Sequence, residues 1–218
     1  MNKAEVLNAI GNQWLLPIMR GDTAEETLLT CEALIAGGAR VIEVAFTTPD
    51  VCTVIKTLKK RHGENVILSA GTVRSSKQAE RAIAAGADVI VAPNLCAAVV
   101  EIAMAHGKLS MPGCVTPTEI EDALRMGADL IKLFPCYSLG PEYVSYINAP
   151  LPEAKLVPAG SVNLQNMKAY YEHGAFAGVV GVTTEMSLTK EVKLGEWKRI
   201  SEVVSKWLRR SAEIRERG

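Results

Sequence analysis

The sequence predicts an α/β fold, a (β/α)₈ TIM barrel, in which eight parallel strands close on themselves inside a ring of helices. Two observations predict it. A helix end, a Gly-Ala step and an apolar run recur at AGGARVIEV (36–44), AAGADVIVA (84–92), RMGADLIKL (125–133) and EHGAFAGVV (172–180). Between these copies lie four further apolar runs: WLLPIM (14–19), VILSA (66–70), LSMP (109–112) and KLVPA (155–159). The eight runs begin near residues 14, 40, 66, 89, 109, 130, 155 and 177, so successive starts are 20 to 26 residues apart. Strands alternating with helices at this spacing imply parallel pairing. An open doubly wound sheet would normally carry a glycine-rich phosphate fingerprint after its first strand. MRGDTAEE offers one glycine there.

The elements follow in order. Val6, Leu7 and Ile10 give residues 1–12 the spacing of a short amphipathic helix. Each Gly-Ala step fits a left-handed residue just past a helix C-terminus, followed by a buried strand. Asp22 or Thr23 can cap the helix after the first strand. Thr48-Pro49 reads as an N-cap with proline at the first helical position. Thr116-Pro117-Thr118-Glu119 adds the reciprocal glutamate of a capping box. The end of the chain, SAEIRERG (about 211–218), is charged and is expected to fray. No linker or low-complexity tract interrupts 1–218, so the chain is expected to be one barrel domain.

Composition narrows the function. Lys plus Arg and Asp plus Glu both number 24, which speaks against nucleic acid or a membrane surface as the main partner. The five cysteines, Cys31, Cys52, Cys96, Cys114 and Cys136, form no C-x-x-C pair and are odd in number. Reduced thiols in a cytoplasmic protein are therefore expected rather than a zinc site or a disulfide framework. MNKAEVLNAIGNQW lacks the pattern of a signal peptide, and no later segment is long enough to span a bilayer. His62, His106 and His173 fall near helix ends, where a surface role is expected.

Two strands carry a charge that does not belong in oil. In DLIKLFP (129–135), Leu130, Ile131, Leu133 and Phe134 surround Lys132. In RVIEVAF (40–46), Ile42 and Val44 flank Glu43. If the flanking residues face the helices, Lys132 and Glu43 face the barrel axis. One reading is a structural ion pair, but desolvating two charges costs several kcal/mol each. The other is chemical. Burial disfavours an ammonium, and a neutral amine adds to a carbonyl to form a Schiff base. A nearby carboxylate can then move protons.

GGARVIEVAFTTPD, LSAGTV, VAPN, MPGCVTPTE and DLIKLFP, in this order and spacing, resemble the 2-keto-3-deoxy-6-phosphogluconate (KDPG) / 4-hydroxy-2-oxoglutarate aldolase family, from about Trp14 to about Val182. The resemblance implies a class I aldolase with no metal and no cofactor, a homotrimer in the family's habit, acting on a small 2-keto acid. It implies Lys132 as the Schiff-base lysine and Glu43 as the general acid/base. Arg20, Gly71, Thr72, Pro93 and Phe134 would line the pyruvate end. By their types alone, Arg20 also reads as a surface arginine at a strand end, Thr72 as a helix-start residue, and Pro93 and Phe134 as packing groups.

The departures concern how substrate is held. Relatives bind a phosphate through glycine-rich turns after the seventh and eighth strands. Here those turns are Pro158-Ala159-Gly160-Ser161 and Gly181-Val182-Thr183-Thr184. Ser161 replaces a glycine, and Val182 stands where a serine is usual. Thr47 stands where many relatives carry an arginine. Gly160, Ser161, Gly181 and Val182 are thus expected to form a weakened anion site, with only a modest preference for a phosphorylated substrate. Two other readings stay open: a barrel epimerase or decarboxylase, and a non-catalytic or engineered assembly on this scaffold.

Overall fold

The computed structural model describes residues 1–216. A short helix α1 (Lys3–Gln13) precedes strand β1 (Leu15–Met19). There follow α2 (Ala24–Ala36), β2 (Val41–Ala45), α3 (Val51–His62), β3 (Ile67–Gly71), α4 (Ser76–Ala85), β4 (Val89–Val91) and α5 (Ala97–Ala105). The fifth strand comes in two pieces, β5 (Leu109–Met111) and β6 (Gly113–Cys114), because Pro112 has no N–H for the ladder. Then come α6 (Pro117–Arg125), β7 (Ile131–Leu133), α7 (Glu142–Asn148), β8 (Leu156–Pro158), α8 (Met167–Glu172), β9 (Gly178–Gly181), α9 (Thr189–Leu194) and α10 (Trp197–Glu216).

Pairing is parallel throughout, in the orders β5-β4-β3-β2-β1-β9 and β6-β7-β8. The split fifth strand joins the two sheets on one side. On the other, a bridge between Ala159 and Val179 and the bond from Phe176 N–H to Leu156 O (2.8 Å) bring β8 to β9. The ring therefore closes, with strand starts within a residue or so of those expected. Gly38, Gly86, Gly127 and Gly174, the four glycines of the Gly-Ala steps, all have positive φ, from 86° to 103°. That conformation is open to glycine and releases the chain from helix into strand.

Side chains alternate across the ring. Ile42, Val44, Leu68, Ile131 and Leu133 pack outward against the helices. Leu16, Val41, Ile67, Val89 and Leu130 fill the interior. Val6 and Ile10 of α1 join that interior cluster, so α1 stoppers the barrel beneath the strand N-termini. Gln13 fixes it there: its amide donates to Leu15 O (2.6 Å) and Val41 O (2.7 Å) and accepts from the Arg40 and Val41 N–H groups.

Three local expectations are corrected or decided. Thr23, not Asp22, caps α2, its hydroxyl accepting from Glu26 N–H (3.1 Å). The helix after β2 begins at Val51 rather than Pro49, because the buried Thr48 hydroxyl accepts from Gly21 N–H (3.3 Å) and is spent on the neighbouring loop. Asp50, at φ 48°, makes the entry instead. The stretch expected to fray from about residue 211 lies within a helix. The helix α10 continues to Glu216, since Ser211 and Ile214 are buried and the Ser211 hydroxyl donates to Gln13 O (3.3 Å). The last two positions of the expected tail lie outside the described residues. Residues 1–12 are helical from Lys3, with Asn2 and Glu5 forming a capping box.

Asp88 holds the underside of β3 and β4. Its Oδ2 accepts from Lys59 Nζ (2.8 Å) and from Leu68 N–H (3.1 Å). Asp88→Ala strands that buried N–H, so urea unfolding should show a loss of about 1–3 kcal/mol.

Candidate active site

A cleft of about 460 Å³ opens at the C-terminal ends of the strands, where a barrel gathers its chemistry. Lys132 reaches it from β7, and Glu43 approaches from β2 across the barrel. Each faces inward because its strand neighbours face the helices. Lys132 Nζ lies 3.5 Å from Glu43 Oε1 and 5.4 Å from the centre of the Phe134 ring. The Glu43 side chain is 0% exposed and that of Lys132 8%. Neither Glu43 oxygen makes a hydrogen bond among the described residues.

This geometry weighs against a purely structural pair. A buried ion pair holds its own only when further hydrogen bonds satisfy the remaining lone pairs. Glu43 receives none from a protein group, so its oxygens are open to a substrate or a water for proton transfer.

Gly71, at the end of β3, makes the arrangement possible. A Cβ there would sit 2.1 Å from Glu43 Oε1. The carboxylate lies where an alanine methyl would be. Gly71→Ala should therefore displace Glu43 and slow turnover by about 10²-fold, the scale of a small misplacement of a catalytic group. A rate within a few-fold of wild type, measured at saturating substrate, would show that Glu43 is not positioned in this way. Thr72 follows with φ 59°, a strained conformation for a β-branched residue, and it lines the cleft. Pro93 also lines it. Gly113 lets the fifth strand approach closely, since a Cβ there would meet Pro93 O at 2.3 Å.

Arg20, Phe134, Gly160 and Gly181 line the same cleft, as does Thr47. Arg20 is exposed to the solvent side and makes no ion pair among the described residues. Ser161 and Val182 are not among the residues that line this cleft. The Ser161 hydroxyl is hydrogen-bonded to the Tyr170 hydroxyl (2.6 Å). Burial pushes the Tyr170 phenol up to about 12. Val182 is fully buried in the helix-facing core, and its N–H donates to Ile18 O (3.0 Å). A serine hydroxyl at 182 would replace a packed side chain there.

Thr183 and Thr184 of the second turn also line the cleft, as do Tyr137 and Glu185, which the sequence did not single out. Glu185 Oε2 accepts from Gly181 N–H (2.6 Å) and from the Thr184 hydroxyl, and Oε1 accepts from the Tyr137 hydroxyl (3.4 Å). Burial, then the charge of Glu185, holds the Tyr137 phenol above its ordinary range. The three histidines are occupied elsewhere: His62 with Glu32 (2.7 Å), His106 with Ile102 O (2.9 Å) and His173 with Ser145 (3.1 Å).

Comparison with known proteins gives one answer. The family described as "Aldolase: KDPG and KHG aldolase" matches residues 6–203. The chain is 33% identical over 169 residues to 2-dehydro-3-deoxy-phosphogluconate aldolase of Treponema pallidum, covering 77% of this chain and 80% of that protein. It is 36% identical to a probable 2-dehydro-3-deoxy-6-phosphogalactonate aldolase of Rhizobium meliloti, over 72% of this chain and 74% of that one. A solved structure described as native KDPGal superposes with a TM-score of 0.80 at 27% identity, over 91% of this chain and 95% of that chain. A barrel with this cleft, matched over most of its length, belongs to the KDPG and KHG aldolase family.

Proposed function

We propose that the protein is a class I aldolase that cleaves a 2-keto-3-deoxy acid of the KDPG or 4-hydroxy-2-oxoglutarate type to pyruvate and an aldehyde. The observation that carries this reading is the buried approach of Lys132 Nζ to Glu43 Oε1, 3.5 Å apart in the cleft.

The chemistry follows from the two groups. The Lys132 amine adds to the C2 ketone, and loss of water leaves an iminium. Glu43 takes the C4 hydroxyl proton, directly or through one water. As the C3–C4 bond breaks, its electron pair moves into the iminium and gives the enamine of pyruvate, while C4 departs as the aldehyde. Protonation at C3 and hydrolysis of the imine release pyruvate and restore the amine. The unpaired guanidinium of Arg20 and the hydroxyls of Thr47 and Thr72 are the groups that would hold the substrate carboxylate. The apolar wall of Phe134 and Pro93 would keep bulk water from the iminium carbon.

The test is pyruvate release, followed with a coupled dehydrogenase, from 2-keto-3-deoxy acids with and without a terminal phosphate and from 4-hydroxy-2-oxoglutarate. One pyruvate per substrate consumed is expected. Release from none of the three would overturn the reading.

A homotrimer is carried over from the family resemblance. Light scattering at micromolar concentration should report three times the chain mass of 23.5 kDa, and a monomer would contradict it. A cytoplasmic setting accords with five cysteines that form no disulfide.

A further inference from the structure

An anion at the distal end of a barrel cleft is held by N–H groups of the turns after the last strands. In this chain those turns are already covered by its own side chains. Gly181 N–H is taken by Glu185 Oε2 at 2.6 Å. The next N–H, of Val182, is taken by Ile18 O at 3.0 Å. The Glu185 carboxylate is also gripped by the Thr184 hydroxyl and by Tyr137. Gly181 admits it by being small: a Cβ there would sit 2.0 Å from Thr184 Oγ1 and 2.6 Å from Glu185 Oε2. At the other turn the Tyr137 ring lies against Gly160, 3.0 Å from where a Cβ would be. Tyr137 and Glu185 thus form one hydrogen-bonded strap over both turns, the phenol O–H donating to Glu185 Oε1 at 3.4 Å.

We propose that Glu185 is a specificity-determining residue that shuts out a terminal phosphate, so that the substrate is a 2-keto-3-deoxy acid whose aldehyde half ends in an uncharged hydroxyl. This rests on the aldolase reading above. A phosphate dianion entering here meets a carboxylate at short range in a partly desolvated cleft, where like charges repel strongly. It also finds the Gly181 N–H already bonded. A sugar hydroxyl meets the opposite situation, because it can donate to the Glu185 carboxylate in a charge-assisted hydrogen bond. Thr183 and Thr184 add hydroxyls of their own to this end of the cleft.

The test compares kcat/KM for 2-keto-3-deoxygluconate and for its 6-phosphate in wild type, Glu185→Gln and Glu185→Ala. Gln keeps an acceptor for Gly181 N–H without the charge, and Ala frees the N–H altogether. Wild type should favour the unphosphorylated acid. Both variants should move the ratio toward the phosphate ester by about tenfold to a hundredfold, the worth of one hydrogen bond to an ionised group. A wild-type preference for the phosphate ester, or a ratio within about twofold of wild type in both variants, would overturn the inference. Borohydride trapping with pyruvate runs beside each assay. Absence of an adduct in wild type would overturn the Schiff-base reading and this inference with it. A normal adduct with an unmoved ratio overturns this inference alone.

Discussion

Lys132→Ala is expected to abolish pyruvate trapping and to lower aldol cleavage by about 10⁴-fold or more, the scale on which loss of a covalent nucleophile is felt. Among the described residues no other lysine lines the cleft, so none is placed to substitute for it. Stability will also change, because the substitution leaves Glu43 as an uncompensated buried charge, a loss of about 3–5 kcal/mol where such pairs have been broken. Thermal unfolding by circular dichroism must therefore accompany the rate measurement. Lys132→Met, which fills the stem's volume, gives a second variant with the same predicted inactivity. A folded variant of either kind that still turns over within tenfold of wild type would place the nucleophile elsewhere, since an acid/base contribution alone is worth about 10²-fold or more.

Glu43→Gln is expected to keep the pyruvate adduct while slowing cleavage by about 10²- to 10⁴-fold, the range for a lost general base. The substitution preserves shape and removes the charge, so it separates two accounts of the same residue. If Glu43 serves stability, the variant loses unfolding free energy and keeps its rate. If Glu43 moves the C4 hydroxyl proton, the rate falls with trapping retained. The approach of Lys132 Nζ to Glu43 Oε1, with no other protein group bonded to the carboxylate, favours the second outcome. Steady-state kcat and the yield of trapped enzyme, measured on one preparation, decide between them.

The barrel was legible because its local rules agree with its topology. The four Gly-Ala steps mark helix ends whose glycines take positive φ, and the next apolar run becomes a strand each time. Lys132 and Glu43 were legible for a related reason. A charge flanked on both sides by outward apolar residues faces the axis of a closed barrel. Where reading failed, a distant partner had claimed a group. The Thr48 hydroxyl resembles a helix cap in sequence, but Gly21 N–H, 27 residues away, uses it. Ser161 resembles an anion ligand, but its hydroxyl is engaged by the Tyr170 hydroxyl. Val182 follows β9 and continues its alternation, which turns the side chain toward the helices. Glu185 gave no signal, because a glutamate in a polar turn reads as a solvated surface group. Only the fold shows that Gly181 N–H lies within its reach. The terminal helix was misread for the converse reason: its charges are conspicuous, while the anchors at Ser211 and Ile214 show only when the helix is laid against the barrel.

The central claim is that Lys132 forms the imine. The most direct measurement is reduction of the protein with borohydride in the presence of pyruvate, followed by intact mass and peptide mapping. The account predicts one adduct per chain, heavier by the mass of pyruvate less one oxygen atom and located on Lys132. An adduct on another lysine, or none at all from a folded protein, would contradict it.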